Sequence, residues 1–320
     1  TYSNRQNVGK ASVVIQGINA YSGTVKKTFK ITPYDIKTNE GSNFLFGENN
    51  AITEKIPYAK GGSKLTDGQV GARFNYTEGE TQHIITLEQG NYTVSYKNNK
   101  RVSTETAKAE ITIKGKGNFK GTVNKIPFDV VQQDLSVLAE NATAGDIVVK
   151  NAAKYNKVMP TIKDLDGKAL KNQTDYTIDK ETAYTYVSED PAVNGTPVTG
   201  TPAEGSVIKV TAKATDKNYK GEVSAIFRVI ADDKNLSALK ITIAEQQYTG
   251  KEVKLGVEDF TFQQKVGGRW VPLTMTEQDF EIVSYSNNLK KGTAKVTLHG
   301  LSEYGGTKTV TFKIKARPMK

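Results

Sequence analysis

Apolar and polar residues alternate one by one in short stretches that recur along the whole chain. In one stretch Ala294, Val296 and Leu298 alternate with polar neighbours, and apolar residues occupy every second position again from 310 to 314. Alternation with a period of two over about six residues is typical of a strand that buries one face. Because glycines separate the two stretches, the pattern predicts a β-hairpin whose turn tolerates positive φ.

The same hairpin pattern occurs four times. Each copy has one aromatic residue in its glycine-rich turn, and these landmark aromatics are Tyr21, Phe119, Tyr219 and Tyr304. They lie 98, 100 and 85 residues apart, and a seven-strand immunoglobulin-like sandwich has about 100 residues. No stretch has the period of a long amphipathic helix. We therefore expect an all-β protein of tandem immunoglobulin-like β-sandwich domains.

The hairpins divide the chain into four predicted segments, called here the first to fourth repeats. Their predicted bounds are 1–33 for the C-terminal hairpin of a truncated repeat, and 34–131, 132–230 and 231–320 for three immunoglobulin-like domains. The linkers are predicted at 32–36, 131–135 and 231–236. Linkers this short leave little freedom for a hinge, so we expect an elongated, semi-rigid rod.

The first repeat is predicted to need a cover. Residues 1–31 match only the last strands of a repeat, and a lone hairpin is marginally stable in water. Its apolar face and open edge are therefore expected to pack on the second repeat, or to pair with an edge strand of a neighbouring molecule. The second of these alternatives predicts self-association of the chain through an edge strand of residues 1–31.

The repeats share a longer pattern: Asp-Tyr-x-Val-x-Tyr-x-Asn-Asn, then Gly-Thr-Ala-x-Val-x-Ile-x-Gly-x-Gly-Asn-Tyr-x-Gly-Thr, then Phe-x-Ile. It resembles the tandem bacterial Ig-like (Big-type) repeats of large Gram-positive cell-surface proteins, often from gut Firmicutes. The match is best at 279–314 and 91–130, weaker at 175–229 and poorest at 41–90, where an extended loop is expected around 61–80. The resemblance implies a scaffold that acts as a spacer, an adhesive module or an appendage of an exported enzyme, without shared catalytic residues.

Charge and cysteine content narrow the class of protein. The formal charge is +10, but Lys and Arg are scattered among Asp and Glu with no nucleic-acid-binding motif, so we expect no nucleic-acid partner. Contact with anionic wall polymers or mucin fits the same charge. The chain has no cysteine, which argues against an animal receptor ectodomain and suits an exported bacterial protein or a cytosolic one equally. No apolar run is long enough to span a membrane.

Catalytic chemistry has few candidates. The two histidines, His83 and His299, lie in different repeats, and without cysteine a zinc site or a nucleophile paired with histidine is not expected. Carboxylates are plentiful, but their positions differ from repeat to repeat, and a small sandwich offers no deep cleft for glycoside hydrolysis. We therefore expect no enzyme, no cofactor and no metal site of this kind.

Two pairs of residues are candidate sites. Trp270, the only tryptophan, lies beside Arg269 in a stretch that could contact a ligand by ring stacking, although a tryptophan there is also expected to fold onto its own hairpin. Asp232 and Asp233 lie at a predicted junction and could bind a cation, the alternative being two solvated linker residues.

The predicted function is that of a non-catalytic structural or adhesive segment of a bacterial cell-surface protein. Its location would be extracellular, at the cell surface or cell wall, without membrane insertion in this fragment, and its partner a host or cell-wall glycan or glycoprotein. The alternative is an array of carbohydrate-binding modules attached to an exported glycan-degrading enzyme. That alternative predicts at least one coplanar pair of exposed aromatic rings, whereas a stalk predicts dispersed ones.

Overall fold

A computed structural model shows a nearly all-β protein, which confirms the fold class predicted from the alternation. The structure describes residues 1–37, 43–215 and 217–317. Among them the helices are short, namely one α-helix of four residues, α1 (Asp67–Val70), and several 3₁₀ segments. Within that part of the chain, no helix is long and apolar enough to cross a bilayer. The chain forms two compact units, Thr1–Gln133 with Asp216–Lys220 and Asp134–Thr215 with Gly221–Lys320.

The first repeat is a three-stranded antiparallel sheet in the order β1–β2–β3. Its strands are β1 (Tyr2–Ser3), β2 (Gly9–Gln16) and β3 (Thr24–Ile31). The face that the alternation marks as apolar is buried only at Ala11, while Ile15, Val25 and Phe29 on the same face are exposed. One of the two expectations was that the second repeat packs on this face. The exposure of these three side chains shows that it does not.

The second repeat is a sandwich of two sheets, with the strand orders β5–β7–β8 and β6–β12–β10–β9. Its strands are β4 (Tyr34–Asp35), β5 (Phe44–Leu45), β6 (Lys55–Pro57), β7 (Arg73–Glu78), β8 (Thr81–Thr86), β9 (Tyr92–Lys97), β10 (Ala109–Gly115), β11 (Phe119–Lys120) and β12 (Thr122–Val131). Ile111 and Ile113 of β10 are fully buried between the sheets, as alternation predicts.

The prediction of an extended loop around 61–80 is wrong, because a short helix and the start of a hairpin lie there. Thr66 caps α1 through a reciprocal pair of hydrogen bonds with Gln69. Glu78 then pairs with Thr81, so that β7 and β8 form a hairpin with a two-residue turn. Gly79 in that turn has φ of 64°, which glycine adopts without strain. The turn was missed because it lies where the repeat pattern is poorest.

The third repeat has a sheet in the order β15–β21–β19–β17, with β18 also paired to β19, and a second sheet of β14 and β16. Its elements are β13 (Gln133–Asp134), a 3₁₀ helix (Leu135–Asn141), β14 (Ala142–Thr143), β15 (Ile147–Val148), a 3₁₀ segment (Val149–Lys157), β16 (Thr161–Ile162), β17 (Tyr176–Thr177), β18 (Tyr184–Val187), β19 (Val207–Ala214), β20 (Tyr219–Lys220) and β21 (Glu222–Ile230). Short 3₁₀ segments thus fill much of the repeat's first half.

The fourth repeat is a sandwich of the sheets β22–β24–β25 and β23–β28–β27–β26. Its elements are two 3₁₀ segments (Asp232–Lys234 and Leu236–Ala238), β22 (Lys240–Ile243), β23 (Gln246–Gln247), a 3₁₀ segment (Val257–Asp259), β24 (Phe260–Val266), β25 (Arg269–Leu273), β26 (Phe280–Ser286), β27 (Gly292–Gly300) and β28 (Thr307–Lys315). Alternate residues of β27 and β28 form the core with Leu236, Phe262 and Phe280 from the first half of the repeat.

One pairing recurs in the three larger repeats. A short strand from the first half of the repeat adds in parallel to the last strand, as β6 does to β12, β15 to β21 and β23 to β28. Parallel pairing needs a long crossover, and here the rest of the repeat supplies it. The last strand is therefore flanked on both sides in these repeats.

Candidate functional site at the hairpin turns

The turn of each terminal hairpin is closed by the same backbone hydrogen bond. An amide N–H at its start donates to a glycine carbonyl at its end, over 2.9 to 3.0 Å, in the pairs Gly17–Gly23, Gly115–Gly121, Ala214–Gly221 and Gly300–Gly306. The first glycine is required by close packing, since a Cβ on Gly300 would lie 2.6 Å from the backbone nitrogen of Gly305. In the third repeat Ala214 occupies this position, and its spacing to the second glycine is one residue longer than in the other repeats.

The second glycine of the turn holds an Asp or Asn side chain from the start of the same repeat. A Cβ on Gly121, Gly221 or Gly306 would lie 2.1 to 2.8 Å from a carboxylate or amide oxygen. The three side chains are Asp35, Asp134 and Asn235, and each also accepts a backbone N–H two residues further on. All three glycines have positive φ, so both conformation and space exclude larger residues.

These Asp and Asn residues lie in the stretches predicted as linkers. Each is followed by an aliphatic residue that is completely buried in its own repeat, namely Ile36, Leu135 and Leu236. The ends of the predicted linkers are therefore structural parts of the sandwiches. The signal that could have shown this was the recurring Asp or Asn followed by Ile or Leu.

The Tyr-x-Asn-Asn pattern joins the two halves of a sandwich. In the fourth repeat the Tyr285 hydroxyl accepts the N–H of Leu255 over 2.8 Å, and Asn288 Nδ2 donates to the Val253 carbonyl over 3.0 Å. In the second repeat the Tyr96 hydroxyl accepts the N–H of Leu65 over 3.0 Å, and burial raises the pKa of that hydroxyl.

The turn is also where the preceding repeat makes contact. Within the first unit, Asn118 in the turn of the second repeat accepts the N–H of Val8 over 2.8 Å and donates to Asn7 over 2.9 Å. In the same unit Asn218 accepts the N–H of Val102 over 3.3 Å. An amide side chain before the landmark aromatic suits this contact because it both donates and accepts.

In the second unit the corresponding turn is held by a charged network. Arg228 donates from Nη1 to the carbonyl of Ser302 (2.6 Å), and from Nη2 to the carbonyls of Gly300 (3.1 Å) and Tyr304 (2.8 Å). The same guanidinium pairs with Asp146 through Nη2 and Oδ2 at 2.9 Å. The Asp146 side chain is only 6% exposed, so this ion pair, which lies within the third repeat, is largely shielded from water.

The network depends on Gly305. A Cβ there would lie 2.5 Å from Asp146 Oδ2 and 2.8 Å from Ile230 Cδ1. Beside it, Lys234 Nζ lies 2.8 Å from Glu303 Oε2 and 4.7 Å from the centre of the Tyr304 ring. The hydrogen bond to Glu303 raises the pKa of the Lys234 ammonium group. The fourth repeat's turn is thus fixed to the third repeat on several sides.

The two aspartates singled out from the sequence lie near this network. Both belong to the 3₁₀ segment Asp232–Lys234, and Asp232 lies 3.8 Å from Lys150 Nζ. Asp232 also lines an open cleft of about 450 Å³ together with Asp146 and Asn235. A cation in this cleft would compete with Lys150 for the carboxylate of Asp232. It would compete with Arg228 for the carboxylate of Asp146. In the described residues no three His, Cys, Asp or Glu side chains form a possible metal cluster.

Arg269 and Trp270, the residues predicted as a possible ligand contact, lie on β25, away from the turns of the terminal hairpins. Trp270 is 43% exposed, and Arg269 is also exposed. Successive residues of a strand point to opposite faces, so the two side chains do not contact one flat ligand from the same side. His299, predicted to point outward, lies 3.1 Å from Glu281 Oε1 across the strand pair.

Sequence reasoning missed an aromatic cluster in the second repeat. Phe74 of β7 contacts Tyr34 and Phe119 edge to face, with ring centres 4.9 and 5.3 Å apart. Tyr76 and His83 stack with centres 4.9 Å apart and planes at 17°. The alternation of Phe74 and Tyr76 along β7 was the available signal. Because Tyr76 and His83 stack on each other, each covers one face of the other.

No protein-family model matches this chain, and no curated protein matches it. Solved structures that are similar to it include domains 4–9 of the surface-layer protein SbsC, with a TM-score of 0.19 and 13% identity, covering 86% of this chain and 47% of that one. Drosophila N-cadherin EC1–4 has a TM-score of 0.17 and 10% identity, covering 99% of this chain and 85% of that one. Protocadherin gammaB7 EC3–6 has a TM-score of 0.15 and 11% identity, covering 97% and 85%. This chain thus spans about half the length of the SbsC fragment.

Proposed function

We propose that this chain is a non-catalytic structural and adhesive segment of a bacterial cell-surface protein, built from Big-type repeats of Gram-positive origin and located outside the cell. The observation that carries this proposal is the junction at Arg228, which fixes the turn of the fourth repeat to the third. Such a junction transmits load between neighbouring repeats. A spacer needs a fixed junction between its repeats, whereas a catalytic step does not.

The junction is strong because charge and geometry act together. A planar guanidinium presents several N–H groups in a fixed fork, and here it satisfies three carbonyl groups while Asp146 balances its charge. Removing one partner of a shielded ion pair leaves the other charge unbalanced, which costs about 3 kcal/mol at the lower end of measured values. The Arg228 side chain is 27% exposed, so we expect the lower end.

The test is Arg228→Gln in the full chain. Thermal unfolding is followed by calorimetry for all repeats and by Trp270 fluorescence for the fourth repeat. We expect the third and fourth repeats to unfold together in the unaltered protein, and as two separated transitions in the variant. Lys313→Gln is the matched control, because Lys313 follows Phe312 on β28 as Arg228 follows Phe227 on β21. Unchanged coupling in Arg228→Gln would refute the proposed role of the junction.

The adhesive partner that we propose is an anionic glycan or glycoprotein of the cell wall or of a host. The support is the formal charge of +10 spread over solvated strands. Binding to purified anionic wall polymer and to sialylated mucin, with a neutral glucan as control, is the measurement. We expect the affinity for the anionic polymers to fall with added salt, as screening requires. Equal binding to the neutral glucan would contradict an electrostatic partner.

A second candidate function, a carbohydrate-binding module of an exported glycan-degrading enzyme, is favoured by the exposure of Trp270. An exposed indole can stack on a sugar ring. If this function is correct, a glycan array identifies a ligand, that ligand changes Trp270 fluorescence, and Trp270→Ala abolishes binding. Arg269→Ala is the neighbouring control, since its side chain points to the other face. Binding that persists in Trp270→Ala would remove this candidate.

A further inference from the structure

Strand β8 forms an edge of its sheet in the second repeat. Within the described residues it pairs only with β7. Leu87 donates its N–H to the carbonyl of Ala72 over 2.8 Å, so these two residues form a hydrogen-bonded pair. Such pairs alternate with non-hydrogen-bonded pairs along an antiparallel ladder. Because Ile84 precedes Leu87 by three residues, it belongs to a non-hydrogen-bonded pair, and its N–H and carbonyl point away from β7.

The composition of β8 favours the addition of a further strand. Its sequence, Thr-Gln-His-Ile-Ile-Thr, has no Lys, Arg, Asp or Glu, and no proline or glycine. Ile84 and Ile85 are 63% and 47% exposed, and as successive residues of a strand they point to opposite faces. Segments of six residues with β-branched side chains, without proline and with little charge, pair readily with other strands when they lie at an edge.

The other edge strands of four or more residues in the described ranges are protected. Proteins prevent pairing between edges by charged residues, prolines, bulges or a covering segment. Strand β18 is covered by residues 195–198, whose backbone groups bond to those of Tyr184 and Tyr186. The remaining edge strands each have a charged residue, namely Lys26 in β3, Lys97 in β9, Lys240 in β22, Arg269 in β25 and Glu281 in β26. Strand β8 is the exception.

The fourth repeat has the same hairpin with its edge blocked. A two-residue turn joins β24 to β25 as another joins β7 to β8. Counted from the turn, Ile84 is the fourth residue of β8 and Pro272 is the fourth residue of β25. Proline has no N–H to donate to a further strand, and in sheets it is confined mainly to edges. The two hairpins therefore differ at the N–H that a further strand would bind.

A second copy of β8 fits this edge. If two copies pair antiparallel around a two-fold axis at Ile84, each Ile84 lies opposite the Ile84 of the other copy, and each Gln82 lies opposite Thr86. Apolar residues then face apolar ones and polar residues face polar ones, which favours the pairing. The devices that protect the other edges act against pairing between copies of one molecule. Their absence from β8 therefore points to a second copy as the occupant.

We propose that two copies of this chain associate through β8 of their second repeats, antiparallel and with Ile84 at the two-fold axis. The sheet β5–β7–β8 then continues into the same sheet of the second copy. The outward N–H and carbonyl of each Ile84 bond to those of the other, as in strand addition to a sheet edge. The interface is isologous, because both copies contribute the same strand.

The dimer has a characteristic response to salt. Each copy has a formal charge of +10, so long-range repulsion opposes the association. Added salt screens this repulsion, and the dimer fraction should therefore increase with salt. Sedimentation of the full chain over a range of protein and salt concentrations measures this. The expected trend is opposite to that for binding of an anionic polymer, so the two interactions are distinguishable.

Substitutions at Ile84 test the interface. Ile84→Pro gives β8 the proline that β25 already accommodates, and removes the outward N–H. Ile84→Lys leaves every backbone group in place and brings two ammonium groups together at the axis. Each should weaken dimerisation at least tenfold. Ile84→Val keeps a β-branched residue and should dimerise like the unaltered chain. Ile226→Lys, at a position that is 55% exposed on β21, is the matched control for the added charge and should also dimerise.

A single cysteine tests the register. The Cα atoms of a hydrogen-bonded antiparallel pair are about 5.5 Å apart, within the range of about 4.4 to 6.8 Å found for disulfides. Ile84→Cys chains should therefore form a disulfide-linked dimer under mild oxidation, whereas Ile226→Cys chains should stay monomeric. The chain has no cysteine of its own to interfere.

Three results would overturn the proposal. The first is a full chain that stays monomeric at every salt concentration up to its limit of solubility. The second is a dimer that Ile84→Lys leaves intact, since another surface would then form it. The third is a dimer that weakens as salt is added, since opposite charges would then hold it together. If Ile84→Pro removes the calorimetric transition of the second repeat, the result for Ile84→Lys decides.

Discussion

The hairpins β2–β3 and β27–β28 have the same register and the same closed turn, but only the second is part of a sandwich. Their shared geometry comes from local features, namely the alternation, the glycine at each end of the turn and the Asn in the left-handed conformation. Burial comes from outside the hairpin, because Leu298 and Phe312 are covered by the first half of the repeat. The comparison separates what a hairpin encodes by itself from what its partner half contributes.

This separation has an energetic meaning. Complete burial of one large aliphatic or aromatic side chain stabilises a protein by about 1.5–3 kcal/mol. The fourth repeat gains that contribution at several positions of β27 and β28, and the first repeat gains little of it. Substitutions at equivalent positions of the two hairpins should therefore differ in cost, and the difference measures what the first half of the fourth repeat contributes to β27 and β28.

The largest effect is expected at the paired phenylalanines. Phe312→Ala should destabilise the fourth repeat by about 3–5 kcal/mol, since it removes a buried ring and leaves a cavity. Phe29→Ala removes an exposed ring and should leave the fourth repeat unchanged. Denaturant unfolding followed by Trp270 fluorescence reports on the fourth repeat and on whatever unfolds together with it, because this repeat contains the only tryptophan. Equal midpoints for Phe312→Ala and the unaltered chain would contradict the packing described above.

The features that could be predicted from the sequence are those set by neighbouring residues. The inward positions Ala294, Val296 and Leu298 are all completely buried, because strand periodicity alone decides which face they share. The turn aromatics and glycines were found for the same reason. Strand β7, which lies inside the loop expected around 61–80, was misjudged because its hairpin lacks the motif by which the other strands were recognised.

The contacts at the candidate site could not be predicted in this way. Arg228 and Asp146 are 82 residues apart, and nothing local shows that β21 carries a cation directed at the turn of the next repeat. Asn235 could have been linked to Gly306 only through the recurrence of the same residue types in all three larger repeats. Trp270 stays a candidate ligand contact, and its exposure depends on packing that its sequence neighbours do not reveal.

An intermediate effect is expected at the second glycine of the turn. Gly306 has φ of 73° and would direct a Cβ to 2.8 Å from the Asn235 side chain, whereas Gly23 has φ of 90° and open space. Left-handed backbone costs about 1–3 kcal/mol for other residues. Gly306→Ala should be destabilised by this backbone strain and by the displacement of Asn235. The unfolding midpoint detected by Trp270 fluorescence should therefore shift to a lower denaturant concentration. Gly23→Ala carries only the backbone cost and should leave that transition unchanged.

A double variant tests whether Asn235 accounts for the difference. Adding Asn235→Gly to Gly306→Ala removes the side chain that the new methyl group would strike. If the clash matters, the double variant should be less destabilised than the sum of the two single variants, as expected for residues in contact. Additive losses would show that the backbone conformation alone makes Gly306 necessary.

The smallest effect is expected at the paired tyrosines. The Tyr285 hydroxyl accepts the N–H of buried Leu255 over 2.8 Å, and Phe at this position leaves that N–H without its partner. An unsatisfied buried donor costs about 1–3 kcal/mol, and because Tyr285 is only half-buried we expect the lower end. Tyr2→Phe should not change stability in the free chain. Denaturant unfolding followed by Trp270 fluorescence measures the expected loss for Tyr285→Phe, with Tyr2→Phe as the matched control. A Tyr285→Phe midpoint equal to that of Tyr2→Phe would show that this hydrogen bond does not stabilise the fourth repeat.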